Sequence, residues 1–236
     1  MKGTHKRIRT TGPRTRFALL LVAFLTAVSG AFVAAPGFAD EGGPLYNGQA
    51  YALGFPGGVW LANAALIKGG TTIGDSGFVS TRNDLDTTFP CPNDTAGFLT
   101  AFVLCPEIKV NTNTETIDVT ASAAKVDLKL GVIPEIQIVG VQGEATAGCN
   151  RLATGSTTIV SLKVGSTYVI SKPTQIKPNT TINLGVLKLV LNQQIPASTN
   201  TMTVAAVHLT ANVAGLVKLD TVVGYAVANV SGCQLD

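Results

Sequence analysis

The chain has 236 residues, with 17 Lys and Arg against 14 Asp and Glu; 13% of it is charged and 46% apolar. So few charges among so many aliphatic residues exclude a disordered chain, which shows the opposite bias. Six of the basic residues and no acidic one precede position 40, which leaves 11 against 14 in the remainder; with no basic stripe to neutralise phosphates, nucleic acid is excluded as a partner.

Lys2, Lys6, Arg7, Arg9, Arg14 and Arg16 form a basic leader, followed by the apolar run Phe17 to Val28 and the weaker stretch Ala31 to Ala35. Gly37-Phe38-Ala39 closes it with small residues at the two positions that a signal peptidase reads. This order predicts a secretory signal peptide over residues 1–39, cleaved after Ala39, with Ala35 and Ala31 as alternative sites. An uncleaved anchor is the competing reading, since the apolar run approaches the length that spans a bilayer. Ser29 and Gly30 interrupt the run and Pro36 precedes the site, which favours cleavage. Paired arginines are absent, so general secretion is expected rather than twin-arginine export. The expected product is a single secreted β-domain over 40–236, free or associated with the cell surface, without a membrane span after cleavage.

Residues 46–105 are rich in glycine and aromatics, including Tyr46, Tyr51, Phe55, Trp60, Phe78, Phe89, Phe98 and Phe102. Helical turns are expected only around Ala62 to Ile67 and Asp84 to Asp94. From 106 onward the only aromatics are Tyr168 and Tyr225, a shift that suggests a subdivision near Pro106.

The second part reads as strands. Ile117, Val119, Ala121 and Ala123 alternate with polar residues, and after a slip of one residue Val126, Leu128 and Leu130 continue, as a β-bulge would produce. A strand from Ile136 to Ala147 runs into Cys149. Ile159 to Val164, Gly165-Ser166 and Thr167 to Ile170 form a tight hairpin with glycine first in the turn. Ile182 to Leu191 is the next strand, with Leu187, Leu189 and Leu191 on one face. Met202 to Val213 and Val217 to Val230 complete the series. In the last, Leu219, Thr221, Val223, Tyr225 and Val227 are expected to share a face. Clusters of Pro, Asn and Ser separate the runs. The pattern predicts an all-β fold, an antiparallel β-sandwich or barrel-like domain with two disulfides.

Four cysteines allow three pairings. Cys91–Cys105 is expected because the pair flanks a loop-like stretch, and Cys149–Cys233 because each ends a β-patterned segment. A zinc site needs Cys-x-x-Cys or nearby histidines, and the sequence has neither; no metal and no cofactor is expected.

Few residues suggest chemistry. His208 is the one histidine after the leader, in an alternating strand, and reads as a solvent-facing or hydrogen-bonded strand residue rather than a general base or ligand. No Gly-x-Ser-x-Gly elbow accompanies it, which disfavours a serine triad. Asp84, Asp86 and Asp94 lie close in sequence and suggest either calcium or paired carboxylates for glycoside cleavage; a solvated loop is the preferred reading. Tyr51 and Trp60 are the weak candidates for stacking on a sugar or contacting a partner, weighed against filling the core. Asn93, Asn179 and Asn229 match the glycosylation pattern.

Several segments together carry a resemblance: Gly48-Gln-Ala-Tyr-Ala-Leu53, Cys91-Pro92, Ala145-Thr-Ala-Gly-Cys149, Leu162-Lys-Val164 and Pro178-Asn-Thr-Thr-Ile-Asn-Leu184. Val190-Leu-Asn-Gln-Gln194, Met202 to Thr210 and Val222 to Cys233 belong to it as well. On these the chain resembles the choice-of-anchor P proteins of actinobacteria and relatives. The resemblance implies an exported, surface-associated β-domain of no assigned activity, attached by C-terminal sorting signals. Here the chain ends Ser231-Gly-Cys-Gln-Leu-Asp236, without a sortase motif or apolar tail, so free secretion or non-covalent association is the expectation. The function expected is therefore a non-catalytic role in structure, adhesion or binding of a cell-envelope component or another protein. The alternative is a carbohydrate-binding or carbohydrate-active extracellular protein.

Overall fold

Long runs of Thr, Val, Ile and Ala in alternation suit a pleated, half-buried surface, and every regular element among the described residues is a strand. The computed structural model describes residues 43–233, all within the unit Glu41–Asp236. The first strands are β1 (Leu45–Leu61), β2 (Ala64–Ile67), β3 (Thr71–Asp75), β4 (Val79–Thr81), β5 (Leu85–Thr88) and β6 (Asp94–Ala96). Then come β7 (Leu99–Asn111), β8 (Thr116–Leu128), β9 (Ile136–Gly148), β10 (Thr154–Val164), β11 (Thr167–Ile170) and β12 (Thr174–Gln175). The last are β13 (Thr180–Leu184), β14 (Leu187–Ser198), β15 (Thr201–Val213) and β16 (Val217–Ser231).

These form two antiparallel eight-stranded sheets. Sheet A runs β13-β14-β15-β16-β1, with β2, β3 and β4 lying successively along the outer edge of β1. Sheet B runs β11-β10-β9-β8-β7, with β12 beside β10 and with β5 and β6 along the outer edge of β7. Residues 62–98 thus run down the edge of one sheet and on to the edge of the other, covering both with short strands, a recognised way to blunt an exposed edge. The expected helical turns at 62–67 and 84–94 are replaced by pieces of this seam. The main chain of each segment there bonds to β1 or β7, which satisfies it better than an isolated turn. The change in aromatic content near Pro106 falls inside β7, which runs unbroken through it.

The secretory leader expected over 1–39 lies outside the described residues. The designations that rested on it (signal peptide, secreted, cell surface, actinobacterial) therefore have no structural footing and are withdrawn. The described residues establish an all-β domain with two sheets and two disulfides. Both expected disulfides form: Cys91–Cys105 ties the loop between β5 and β6 to β7, and Cys149–Cys233 joins the end of β9 to the end of β16, linking the sheets.

The phase slip expected in β8 is present, but it is not a β-bulge. Ala123 pairs with Val141 and Lys125 with Val139, so the register is the same on both sides of the slip. Every long strand of sheet B slips at the same level, at Val103, Ala124, Gly140 and Val160. Sheet A does so at Asn192, Ala206, Gly224 and Ala52. On alternate strands the slip is taken up in left-handed backbone: Val103 (φ 52°), Gly140 (φ 57°), Gly224 (φ 68°) and Asn192 (φ 49°). In sheet A the extra row points inward, so that both Ala52 and Leu53, and both Ala206 and Val207, are buried. In sheet B the extra row points outward and is exposed.

The slip separates two cores. One is rich in Leu and Ile and includes Leu53, Phe55, Leu104, Ile138, Ile159 and Leu189. The other is built around Tyr46, Ile108, Ile117 and Val204, with many alanines, and abuts Cys149 and Cys233. Between them the sheets nearly touch: a Cβ added to Gly143 would sit 2.5 Å from the Gly224 carbonyl oxygen and 3.2 Å from the Ala206 Cβ. The slip also corrects the expectation for β16. Leu219, Thr221 and Val223 face inward, but Gly224 reverses the phase and turns Tyr225 and Val227 outward while Ala226 and Ala228 take the core positions. The run Ile182 to Leu191 is likewise not one strand but the hairpin β13–β14, turned at Gly185 (φ 67°).

The far side of the molecule is stitched by side chains. Asn192 Nδ2 donates to the Ile176 carbonyl at 2.7 Å, Thr157 Oγ1 donates to Asn192 Oδ1 at 3.2 Å, and Gln194 Nε2 donates to the Gly155 carbonyl at 2.6 Å. Thr221 is fully buried and its hydroxyl meets no protein hydrogen-bond partner.

Three stability outcomes follow, each measurable by urea unfolding. Gly143→Ala should destabilise by more than about 2 kcal/mol, since the backbone of Gly224 has nowhere to go. Thr221→Val, nearly isosteric, should stabilise by about 1 kcal/mol by removing an unpaired hydroxyl. Replacing Cys149 and Cys233 by serine should cost about 4–5 kcal/mol, against about 3 for Cys91 and Cys105, because the first pair closes the longer loop in the unfolded chain.

Candidate functional site

Polar side chains on the outer face of sheet A are organised in rows across the strands. At one end Ser80 Oγ donates to Asn47 Oδ1 at 2.8 Å, Asn47 Nδ2 to Asn229 Oδ1 at 3.0 Å, and Asn229 Nδ2 to Thr201 Oγ1 at 2.6 Å. Ser198 extends the row to β14 through its 2.9 Å bond to Thr201. Each residue occupies an outward position of a different strand, where a short amide or hydroxyl reaches its cross-strand neighbour. Asn229, one of the three residues matching the glycosylation pattern, is buried within this row.

The middle of the same face holds the groups closest to chemistry. Tyr51 and Tyr225 oppose each other in register and stack, with ring centroids 4.4 Å apart and planes 9° from parallel. The Tyr51 ring lies over Gly54, where a Cβ would meet it at 2.4 Å. Burial, reinforced by Tyr225, Asp75 and Asp220, holds the Tyr51 phenol well above its ordinary range. Burial also raises Tyr225, partly offset by a hydrogen bond with Thr203.

His208 stands beside this stack, opposite Val222, whose side chain packs with Tyr51 and Ala205. Its Nδ1 lies 2.8 Å from Gln193 Oε1 and its Nε2 lies 2.9 Å from Asp220 Oδ1. Both ring nitrogens donate in this arrangement when the ring is protonated; a neutral ring keeps both bonds if the Gln193 amide is reversed. Either way the imidazole is fixed at both ends and ties β14, β15 and β16 together. No hydroxyl or thiol takes part in the chain of bonds through Gln193, His208 and Asp220. The His208–Asp220 contact is therefore a structural tie without the nucleophile that would make it a relay.

The other candidates are dispersed. Asp84 Oδ1 accepts from the Thr112 backbone N–H at 2.7 Å and from its hydroxyl at 2.8 Å, and these bonds hold its carboxyl below the usual range. Its ionised form supports the fold above that range, and the support is lost as pH falls through the lowered value. Asp86 is exposed on β5 opposite Lys109, and Asp94 lies on β6 opposite Ala101. Lys109 and Ala101 are separated along β7 by roughly 26 Å at strand rise, so the three carboxylates make no common site. Trp60 is near the opposite end of β1 from Tyr46 and donates its indole N–H to the Gly57 carbonyl at 3.2 Å. Among the described residues no group of three His, Cys, Asp or Glu side chains could hold a metal ion.

The tyrosine stack and the Gln193–His208–Asp220 tie were not foreseen from sequence as one cluster. The phase slip that turns Tyr225 outward is invisible in β16 alone, and Gln193 meets His208 only through the pairing of β14 with β15. No family model matches the chain. No curated protein and no solved structure matches it either.

Two outcomes test this cluster. In an alkaline absorbance titration Tyr51→Phe should remove one late-ionising tyrosine. Because the fold raises that phenol, its contribution to stability is full below the ordinary tyrosine range and is lost as pH rises through its raised value. His208→Ala should cost about 1–2 kcal/mol in urea unfolding, the worth of two partly buried hydrogen bonds.

Proposed function

We propose that the chain is a non-catalytic structural and binding domain, a β-sandwich whose sheets are linked by Cys149–Cys233 and that presents its broad sheet faces to another protein. The observation that carries this reading is the state of His208: both of its ring nitrogens are occupied, by Gln193 and Asp220, and no nucleophile joins them. The side chains best suited to chemistry serve as ties between strands. The sandwich description is supported by cores that draw residues from both sheets, such as Phe55 with Ile138 and Tyr46 with Ile117.

The disulfides support function in an oxidising compartment, because such bonds do not persist where thiols are kept reduced. A carbohydrate site has less support. One ring face of Tyr51 is taken by Tyr225, Trp60 is bonded to its own strand, Asp86 belongs to the other sheet, and Asp84 is bonded to Thr112 just before that strand.

The test is turnover. Purified protein and His208→Asn, both checked for an unchanged far-ultraviolet spectrum, are assayed against ester, peptide and glycoside substrates. Neither is expected to exceed the blank. Turnover by the wild type that disappears in His208→Asn would overturn the proposal.

A further inference from the structure

The outward slip of sheet B strains the backbone at Val103, whose N–H donates to Asn93 Oδ1 at 2.7 Å. Val103 is a β-branched residue in left-handed backbone, a conformation worth about 1–3 kcal/mol of strain, and its side chain is 48% exposed. It is one end of a belt two rows deep across four strands. Val103, Ala124, Gly140 and Val160 form one row, and Phe102, Lys125, Val139 and Ser161 the next. Phe102, Val139 and Val160 are each more than one-third exposed. The only charge in the belt, Lys125, has its ammonium drawn aside to Asp127 at 2.8 Å, which leaves its methylene stem over the apolar surface. Cys105, Ser122, Gln142 and Thr158 border the belt on one side, and Thr100, Asp127, Gln137 and Lys163 on the other. That is the anatomy of a protein interface, an apolar centre within a polar rim.

We propose that this face is the contact by which two copies of the chain associate, about a two-fold axis parallel to the strands and passing between β8 and β9. The pattern of side chains fits that operation. Such an axis exchanges β8 with β9 and β7 with β10. Val103 of one copy then meets Val160 of the other and Ala124 meets Gly140, while in the second row Phe102 meets Ser161 and Lys125 meets Val139.

The same operation leaves no charge facing a like charge. Beyond the belt on one side, Glu107 faces Ser156 and Glu144 faces Thr120; one level farther, Lys109 faces Thr154 and Asp118 faces Thr146. On the other side Lys163 faces Thr100 and Asp127 faces Gln137. Each of these charges on one copy meets a neutral hydroxyl or amide on the other, although Ser156 and Thr146 already donate to Glu144 and Asp118 of their own copy. A C2 interface must be complementary to itself in this way.

The area is adequate. Four strands about 4.8 Å apart and nine residues at about 3.3 Å each give a face of roughly 600 Å² per copy. Roughly 1,200 Å² in total is at the lower end for a specific association, so a dimer that dissociates on dilution is expected.

Sedimentation velocity of the purified protein over about a hundredfold range of concentration reads the association. A monomer–dimer equilibrium is expected, and Val160→Asp should raise its Kd at least about tenfold. Ile195→Asp, at an exposed position of the other sheet, should leave it unchanged. Should Val160→Asp fail to fold, Val160→Thr, nearly isosteric, is the substitute and should weaken the dimer in the same direction. Thr100→Glu should tighten it through Lys163 of the other copy and Thr100→Lys should weaken it, a pair of shifts that depends on the proposed axis. A protein that stays monomeric throughout, or a dimer indifferent to both substitutions at Val160 and to the sign of the charge at 100, would overturn the proposal. Neither result bears on turnover, so the reading of the domain as non-catalytic stands or falls separately.

Discussion

The near contact of Gly143 with Gly224 is the constraint on which the rest of the structure depends. Sheet A carries an extra inward row at the slip, and an inward row needs space that the opposing sheet must yield. It is yielded by small residues on both sides: Ala52, Ala206 and Gly224 in sheet A, Ala121 and Gly143 in sheet B. Backbone meets backbone there, with no side chain between to adjust. A packed interior transmits such a constraint because it is not readily compressed. The contact fixes how the sheets sit on one another, and the two cores fill the space it leaves on either side.

The same slip accounts for both faces of the molecule. In sheet A it reverses β16 at Gly224, so that Tyr225 emerges to stack on Tyr51 and His208 comes to lie beside them. In sheet B the extra row goes outward and exposes two adjacent rows, with valine, alanine and phenylalanine among them, of which a regular strand would have turned one inward. Because neighbouring strands slip at the same level, the hydrogen-bonded ladders keep their register and the irregularity runs across each sheet as a line. Polar ties, the disulfides and the seam of short strands over residues 62–98 then close the ends and sides.

Much of the fold was legible in the sequence. The alternation of Ile117, Val119 and Ala121, the Gly165-Ser166 turn and the strands flanking His208 were all readable, because the period of a half-buried strand is written in its own residues. The cysteine pairing was readable because each pair borders recognisable segments. The slip after Ala123 could also be seen, since β8 has a clear apolar phase on both sides of it. Its meaning could not: a bulge and a slip shared with the neighbouring strands look identical along one strand and differ only in register.

The candidate site shows the same division. That His208 lies in an alternating strand, with no serine elbow in the sequence to accompany it, was readable from the chain. That its partners are Gln193 and Asp220, that Tyr225 faces outward and that Asp94 stands apart from Asp84 were not, because these are facts of strand pairing between residues distant in the chain. By itself the sequence determined the strand period, some of the turns and the poverty of catalytic groups, all of which are local or compositional, and it favoured one of three cysteine pairings. Only the tertiary structure decided which faces meet, which side chains become neighbours and where apolar surface is left uncovered. Those depend on register and on the close approach of two backbones, and glycines at 143 and 224 permit that approach without announcing it.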